Sequence, residues 1–378
     1  MTTDAGAGAG AASATGRPEP RSAELRLRGR TIPVLLPDLA DPRLKLSAVL
    51  MTLQVLGQTV LGFKLSIAQI LLPIVTCATI EIVLTFRDRR VLAWPSSAIL
   101  TGNSIAFILR ASGTRHGDWW GLRGGGLFVA AAVLAMLSKH LIRPGGRHLF
   151  NPSNVALVWI LLVVGPARVF PQYLWWGPWE APVIAAYLVI LVGGAWVLRA
   201  VAMTSMAAAF LLTYGGLVAV AAAVGRSFVA VWREADVSGF AYWANIALSP
   251  ELLIFVFFMM SDPQTTPAGR RARVGFGAAT AVVAAGLTAV QTTEFGIKVA
   301  ILSSLTVTCA ITGLLERRPA GHRDGGRSAA RMARAATNPA IAAAIIVAVA
   351  APVDTLRLAR DEQLLLIERG LTARSEQQ

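Results

Sequence analysis

Apolar runs recur along this chain, separated by short polar gaps. A helix needs about 20 apolar residues to cross the hydrocarbon of a bilayer. Stretches 45–63, 65–86, 124–142, 181–200, 203–224, 273–290 and 296–315 meet that requirement. Three further runs are short or interrupted. Segment 96–109 is Ser-Ser-Ala-Ile-Leu-Thr-Gly-Asn-Ser-Ile-Ala-Phe-Ile-Leu, and 240–260 is broken by Ser249-Pro250 and closed by Ser261-Asp262-Pro263. Segment 151–165 opens on Asn151-Pro152, with proline suited to an early helical position. The pattern predicts an all-α integral membrane protein with ten transmembrane segments. An Ala-rich run at 338–352 either spans or lies at the interface, and 353–378 alternates Leu and Ile with charge as a surface helix does.

The two defective spans are the third and the eighth. Each is followed by a full span and then by a helix opening on a polar motif, so segments 1–5 and 6–10 share a pattern. Five is odd, and the halves are therefore expected to be inverted. Matching broken or half-length segments in two halves point to a binding site near the midplane, because unwound backbone within a membrane must face protein or a cavity. The organisation expected is a disordered cytoplasmic tail at 1–44, repeats at 45–200 and 201–316, and a basic loop with interfacial and amphipathic segments at 317–378.

Charge orients this scheme. With the N-terminus in the cytoplasm, that side receives Arg87, Arg89, Arg90, Lys139, Arg143, Arg147, Arg270, Arg271, Arg273 and the arginines from Arg317 to Arg334. The opposite loops hold Lys64, Arg110, Arg115, Arg123, Arg168, Arg226, Arg233 and Lys298. Positive loops stay inside. Trp119, Trp120, Trp175, Trp176 and Trp179 then fall on the outer side as interfacial anchors. The chain is 55 % hydrophobic and 15 % charged with a net charge of +14. The arginines flank apolar segments instead of lining one aromatic-interleaved face, which argues for a lipid bilayer as partner and against nucleic acid. Cys77 and Cys309 each sit inside an apolar run and supply no metal-binding pair. No charged n-region with a compact apolar h-region opens the chain, so no cleaved signal peptide is expected.

Candidate chemistry lies at the breaks. In the first half it comprises Thr101, Gly102 and Asn103, then Asn151 and Asn154, three apart on one helical face. In the second half it comprises Asp262, Thr265 and Thr266 around two prolines. Asparagine amides offer donors and acceptors that suit an isoalloxazine, quinone or urea-like edge, although Asn151 and Asp262 are equally the residue types that cap helices. Glu81 lies in apolar surroundings, where a carboxylate is a functional candidate or a partner for Arg87 or Arg89. The histidines, at or beyond segment ends, are expected to be solvated. No nucleophile–base arrangement is evident.

These residues carry a resemblance. Ser97-Ala98-Ile99-Leu100-Thr101-Gly102, then Lys139, then Phe150-Asn151-Pro152 resemble the first-half signature of the RnfD/NqrB family of membrane electron-transport subunits. Phe257-Phe258-Met259-Met260-Ser261-Asp262-Pro263-Gln264-Thr265-Thr266-Pro267 resembles that family's Thr-Asp-Pro-Val-Thr element, and Gly296–Leu302 its Gly-Val-x-Phe-Ala-Ile-Leu. The resemblance covers 45–316 and implies a ten-helix inverted-repeat fold, work beside other membrane or soluble redox subunits, and FMN or riboflavin held noncovalently near Asn151 and Asn154. Lys139 enters the candidate site through the same resemblance.

The family's covalent flavin sits on a threonine in a long loop after segment 5. Here that connection is Pro166–Glu180 and has no threonine, so covalent flavin is not expected. Ser303-Ser304 replaces a polar element of the family's second half. A shortened chain of this composition is similar to the RnfD-related membrane proteins of enediyne antibiotic biosynthesis clusters, which implies a bacterial plasma membrane. Two functions follow: electron-transfer support, or transport of a small solute or biosynthetic intermediate through the same cavity.

Overall fold

The computed structural model describes residues 22–27, 30–37, 41–172, 180–230 and 236–315. The run at 338–352, the C-terminal surface helix, the 317–334 arginines, Arg233, His322 and the anchors Trp175, Trp176 and Trp179 lie outside the described residues. Part of the stretch expected as a disordered tail is ordered. β1 (Ser22–Leu27) and β2 (Arg30–Leu35) pair antiparallel, and β2 pairs parallel with β3 (Leu92–Ala93). The alternation in Glu24-Leu25-Arg26-Leu27 and Thr31-Ile32-Pro33-Val34 accounts for this: period two is a strand pattern that composition alone hides.

Helices follow. α1 is Pro42–Thr59, α2 Ile67–Arg89, α3 Ser96–Ile108, α4 Gly125–Leu141 and α5 Pro152–Val164. α6 is Ala181–Ala200 and α7 Thr204–Ala223. The eighth apolar stretch is broken, as its Ser-Pro pair predicts, into α8 (Gly239–Ala247), α9 (Pro250–Ile254) and a π-helical turn at Phe255–Met259. α10 is Arg270–Ala289 and α11 Glu294–Leu315. Two further strand pairs, β4 (Leu109–Ala111) with β5 (Val169–Pro171) and β6 (Ser227–Phe228) with β7 (Val237–Ser238), tie loops together.

Among the described residues, six helical stretches are long and apolar enough to cross a membrane: α2, α6, α7, the broken Gly239–Met259 stretch, α10 and α11. α3, α4 and α5 are apolar but shorter, and α1, expected as a full span, carries Arg43 and Lys45 and ends at Thr59. The chain is thus an α-helical membrane protein. Burial divides its helices. α2, α6, α7 and α10 bury between 22 and 33 % of their apolar windows and turn Val75, Val83, Leu188, Val192, Leu212 and Val282 outward, toward where lipid would be. The broken stretch buries 72 % and α11 78 %, so these two form the centre.

Packing repeats along the chain. α2 packs on α3 and α4, α4 on α5, and α1 on α3; likewise α7 packs on α8 and α10, α10 on α11, and α6 on α9 and the π turn. The two sets meet where α1 lies against α6 and α5 against α11. Both junctions are antiparallel. Along α1 and α6, Lys45 Nζ sits 5.0 Å from the Trp196 ring centre, Val49 faces Gly193, and Leu53 shares a cleft with Ile190. Along α5 and α11, Leu149, just before α5, abuts Gly313, while Phe170, beyond its end, packs 5.1 Å from Phe295. Small residues permit such close approach. A Cβ on Gly102 would stand 2.5 Å from Pro73 O, so α3 crosses α2 with backbone nearly touching backbone.

Candidate functional site

The start of α5 is built by its sequence. Asn151 caps the helix, its Oδ1 accepting from Asn154 N (3.1 Å) and from Ser153 Oγ (2.9 Å), with Pro152 in the first turn. Its Nδ2 then donates 3.1 Å to Met259 O, the last residue of the π turn. A π turn leaves carbonyls out of the ordinary helical ladder, and this bond supplies one of them with a partner. One turn on, Asn154 Nδ2 donates to Leu302 O (3.0 Å) and its Oδ1 accepts from Thr306 Oγ1 (2.8 Å). Both asparagines are buried, and both are spent on joining α5 to the central elements of the other half.

Asp262, Thr265 and Thr266 form one loop. Asp262 Oδ1 accepts from Gln264 N at 2.9 Å, and its carbonyl accepts from both threonine hydroxyls, so it shapes a turn and caps no helix. Arg147 fastens this loop to the first half by donating to Pro263 O (3.0 Å) and Thr266 O (2.8 Å). Lys139 lies at the same end, its Nζ 3.1 Å from Glu81 Oε2; His140 Nε2 stands 3.0 Å from the same oxygen. Glu81 therefore pairs across to α4, and not along its own helix to Arg87 or Arg89 as its spacing allowed. His140 is correspondingly part of an ion cluster and not simply solvated. His148, half-buried in the loop before α5, has its Nδ1 3.2 Å from Lys139 O. Burial first, and then the charges of Lys139 and Arg143, push its imidazole down to about 4.

The first-half break differs. Thr101 Oγ1 donates to Ser97 O within its own helix, and Gly102 serves the α2 crossing. Asn103 is 1 % exposed, and among the described residues no donor reaches its Oδ1. Gln54 on α1 is 3 % exposed, and neither its Oε1 nor its Nε2 has a partner among the described residues. Gln54 follows Leu53 and Asn103 precedes Phe107 by one turn. Leu53 and Phe107, with Leu61, Phe63, Tyr187 and Pro250, line a small, mainly apolar cleft of about 30 Å³ between α1, α3, α6 and α9. Small-molecule sites occupy roughly 300–1,000 Å³, so this cleft is well below that size, and neither Gln54 nor Asn103 lines it; buried amides without partners are nonetheless the kind of atoms a bound polar edge completes.

The structure thus gathers Asn151, Asn154, Lys139, Asp262, Thr265 and Thr266 around the α5–α11 junction and its adjoining end, but assigns them internal bonds. Gln54 was not legible as a site residue: a lone glutamine in an apolar run carries no spacing signal. Glu251, Glu294 and Lys298 were also missed. Lys298, expected in an outer loop, is built into α11 and bridges Glu294 at 2.8 Å and Glu251 at 2.9 Å; the i, i+4 spacing of Glu294 and Lys298 was the available clue. Among the described residues no group of three His, Cys, Asp or Glu could hold a metal ion. The sequence matches no known family model and none of the curated proteins with which it was compared.

Proposed function

We propose that this chain is a membrane subunit of RnfD/NqrB type, built as two inverted five-segment halves, that supports electron transfer by holding a flavin or quinone-like ligand noncovalently. The observation that carries the reading is the pair of buried amides, Gln54 on α1 and Asn103 on α3, whose side-chain atoms lack partners among the described residues. The carbonyl and N–H edge of a flat ring system would satisfy those amide donors and acceptors. The repeated packing order and the antiparallel α1–α6 and α5–α11 junctions support the inverted halves. The ligand supplies the redox chemistry when bound, and the protein supplies position and a dry environment. On this reading the N-terminus faces the cytoplasm of a bacterial cell, other redox subunits complete the path, and natural-product oxidation of the enediyne type is its setting.

Asn151 and Asn154 serve this reading as the joints of the site. Release of the bound material by denaturing purified protein, followed by absorbance and mass spectrometry, tests it. A stoichiometric flavin or quinone is expected, reduced at least severalfold in Gln54→Leu and Asn103→Leu. A second reading, transport of a small solute or biosynthetic intermediate, is favoured by the buried ion clusters at Lys139 and Lys298. Uptake by proteoliposomes without any bound chromophore would replace the first reading by the second.

A further inference from the structure

α1 and α6 form a seam between the two packing sets, and the end of that seam where α1 starts is basic. Lys45 Nζ reaches across it to within 5.0 Å of the centre of the Trp196 ring. Trp196 is exposed, and Arg199, also exposed, follows it by one turn on α6. Arg43 stands exposed at the start of α1, where the capping Asp41 turns its Oδ1 to the backbone and accepts from Arg43 N at 2.9 Å. An ammonium has three donors, so one seated on a ring face can hold an anion as well.

Below this end the seam is apolar and open. Ile184, Leu188, Val192 and Trp196 succeed one another at i, i+4 along α6, and all four are exposed. Thr52 and Val55, about two and three turns along α1 from Lys45, are exposed beside them, with Thr52 Oγ1 donating to Ala48 O in its own helix. Val49 against Gly193 closes the floor. The α6 row is roughly 18 Å long at 1.5 Å per residue, close to the depth of one leaflet, about 15 Å in a 30 Å hydrocarbon core.

We propose that the α1–α6 seam binds an anionic phospholipid, with its phosphate between Lys45 and Arg199 and an acyl chain along the row from Trp196 to Ile184. A lysine stem lies on apolar surface while its ammonium reaches the headgroups. Tryptophan belongs at that same level, and basic residues between helices there select anionic headgroups. Because α1 and α6 come from different packing sets, the lipid braces their join. Arg90 supplies the contrast at the same end of the bundle. Its guanidinium lies 5.6 Å from the ring of Phe86, one turn back along the chain, so no second helix makes a groove there. The inference requires the bilayer alone and is independent of the flavin reading.

Native mass spectrometry of the full chain tests it, with the protein stripped of lipid in mild detergent and titrated with dioleoyl phosphatidylglycerol or dioleoyl phosphatidylcholine. One retained phosphatidylglycerol per chain is expected, preferred at least about tenfold over phosphatidylcholine. Lys45→Gln and Arg199→Gln should each weaken its retention roughly fivefold, and Arg90→Gln should leave it unchanged. Phosphatidylglycerol should also raise the unfolding temperature of the wild type but not of the Lys45→Gln, Arg199→Gln double variant. Equal retention of the two lipids overturns the proposal, and so does an equal loss in Arg90→Gln. Glycerol 3-phosphate binding as tightly as the lipid would replace the lipid site by a simple phosphate site.

Discussion

The two buried lysines answer opposite problems. At one end of the bundle Lys139 and His140 converge on a single carboxylate, Glu81. At the other end two carboxylates, Glu251 and Glu294, converge on a single ammonium, Lys298. The first cluster is rich in donors and adjoins loops bearing Arg143 and Arg147; the second is rich in acceptors and is enclosed by helices. They are roughly 22 Å apart along α11, from Lys298 to the Gly313 contact near Lys139, at 1.5 Å per residue. The difference teaches what each end can tolerate. At the donor-rich end His148 Nδ1 stands 3.2 Å from Lys139 O, while Lys139 Nζ is buried against Glu81 with no hydrogen-bond partner among the described residues. At the acceptor-rich end Glu294 Oε2 is buried with no hydrogen-bond partner among the described residues.

Removing the shared ion should expose this asymmetry most strongly. Lys298→Met removes the ammonium that bridges Glu251 and Glu294 and should cost about 3–5 kcal/mol, read as loss of thermal stability in detergent. Lys139→Met leaves Glu81 with His140 and a partly open surface, so about 2 kcal/mol is expected in the same assay. If the two losses are equal, the contrast between the ends fails.

The element between the clusters should respond next. Asn154→Leu removes the bonds to Leu302 O and Thr306 Oγ1 and should cost about 1–2 kcal/mol, whereas Asn154→Asp, which keeps the acceptor for Thr306 but sets a buried carboxylate oxygen against Leu302 O, should cost more. Equal unfolding temperatures for the two variants would show that the α5–α11 junction is held by packing alone.

The smallest effect concerns the donor-rich end and its pH dependence. His148 is held near 4 in the folded chain, below its ordinary 6.5, so the unfolded chain binds the extra proton first as pH falls. Its contribution to stability is complete above 6.5 and is lost progressively as pH drops toward 4. His148→Asn should flatten that part of the stability–pH profile, measured by unfolding temperature at fixed salt. A profile identical to the wild type would place the acid sensitivity elsewhere.

Much of the fold was legible. Apolar length marked α2, α6, α7, α10 and α11, and Ser249-Pro250 marked the break because a proline lacks the N–H that would continue a helix. The capping role of Asn151 was also legible, since Asn-Pro is a helix-start pattern. The hairpin at 22–35 was not, because its alternation is short and sits beside a compositionally biased tail. Partners across the bundle were invisible for a different reason. Glu81 had Arg87 and Arg89 within a few residues, yet α4 brings Lys139 nearer.

By itself the sequence determined the medium, the approximate helix count and the places where helices break, since each depends on local hydropathy and on the backbone limits of single residues. Tertiary structure alone decided which polar side chains are consumed in holding the halves together and which are left over. Asn151 and Asn154, the most conspicuous amides in the sequence, are satisfied by Met259, Leu302 and Thr306 from far along the chain. Gln54, Asn103 and Glu294 keep atoms without a partner among the described residues. Hydrogen bonding is settled by what stands three ångströms away, and in this bundle that neighbour is more than a hundred residues distant in sequence from either asparagine.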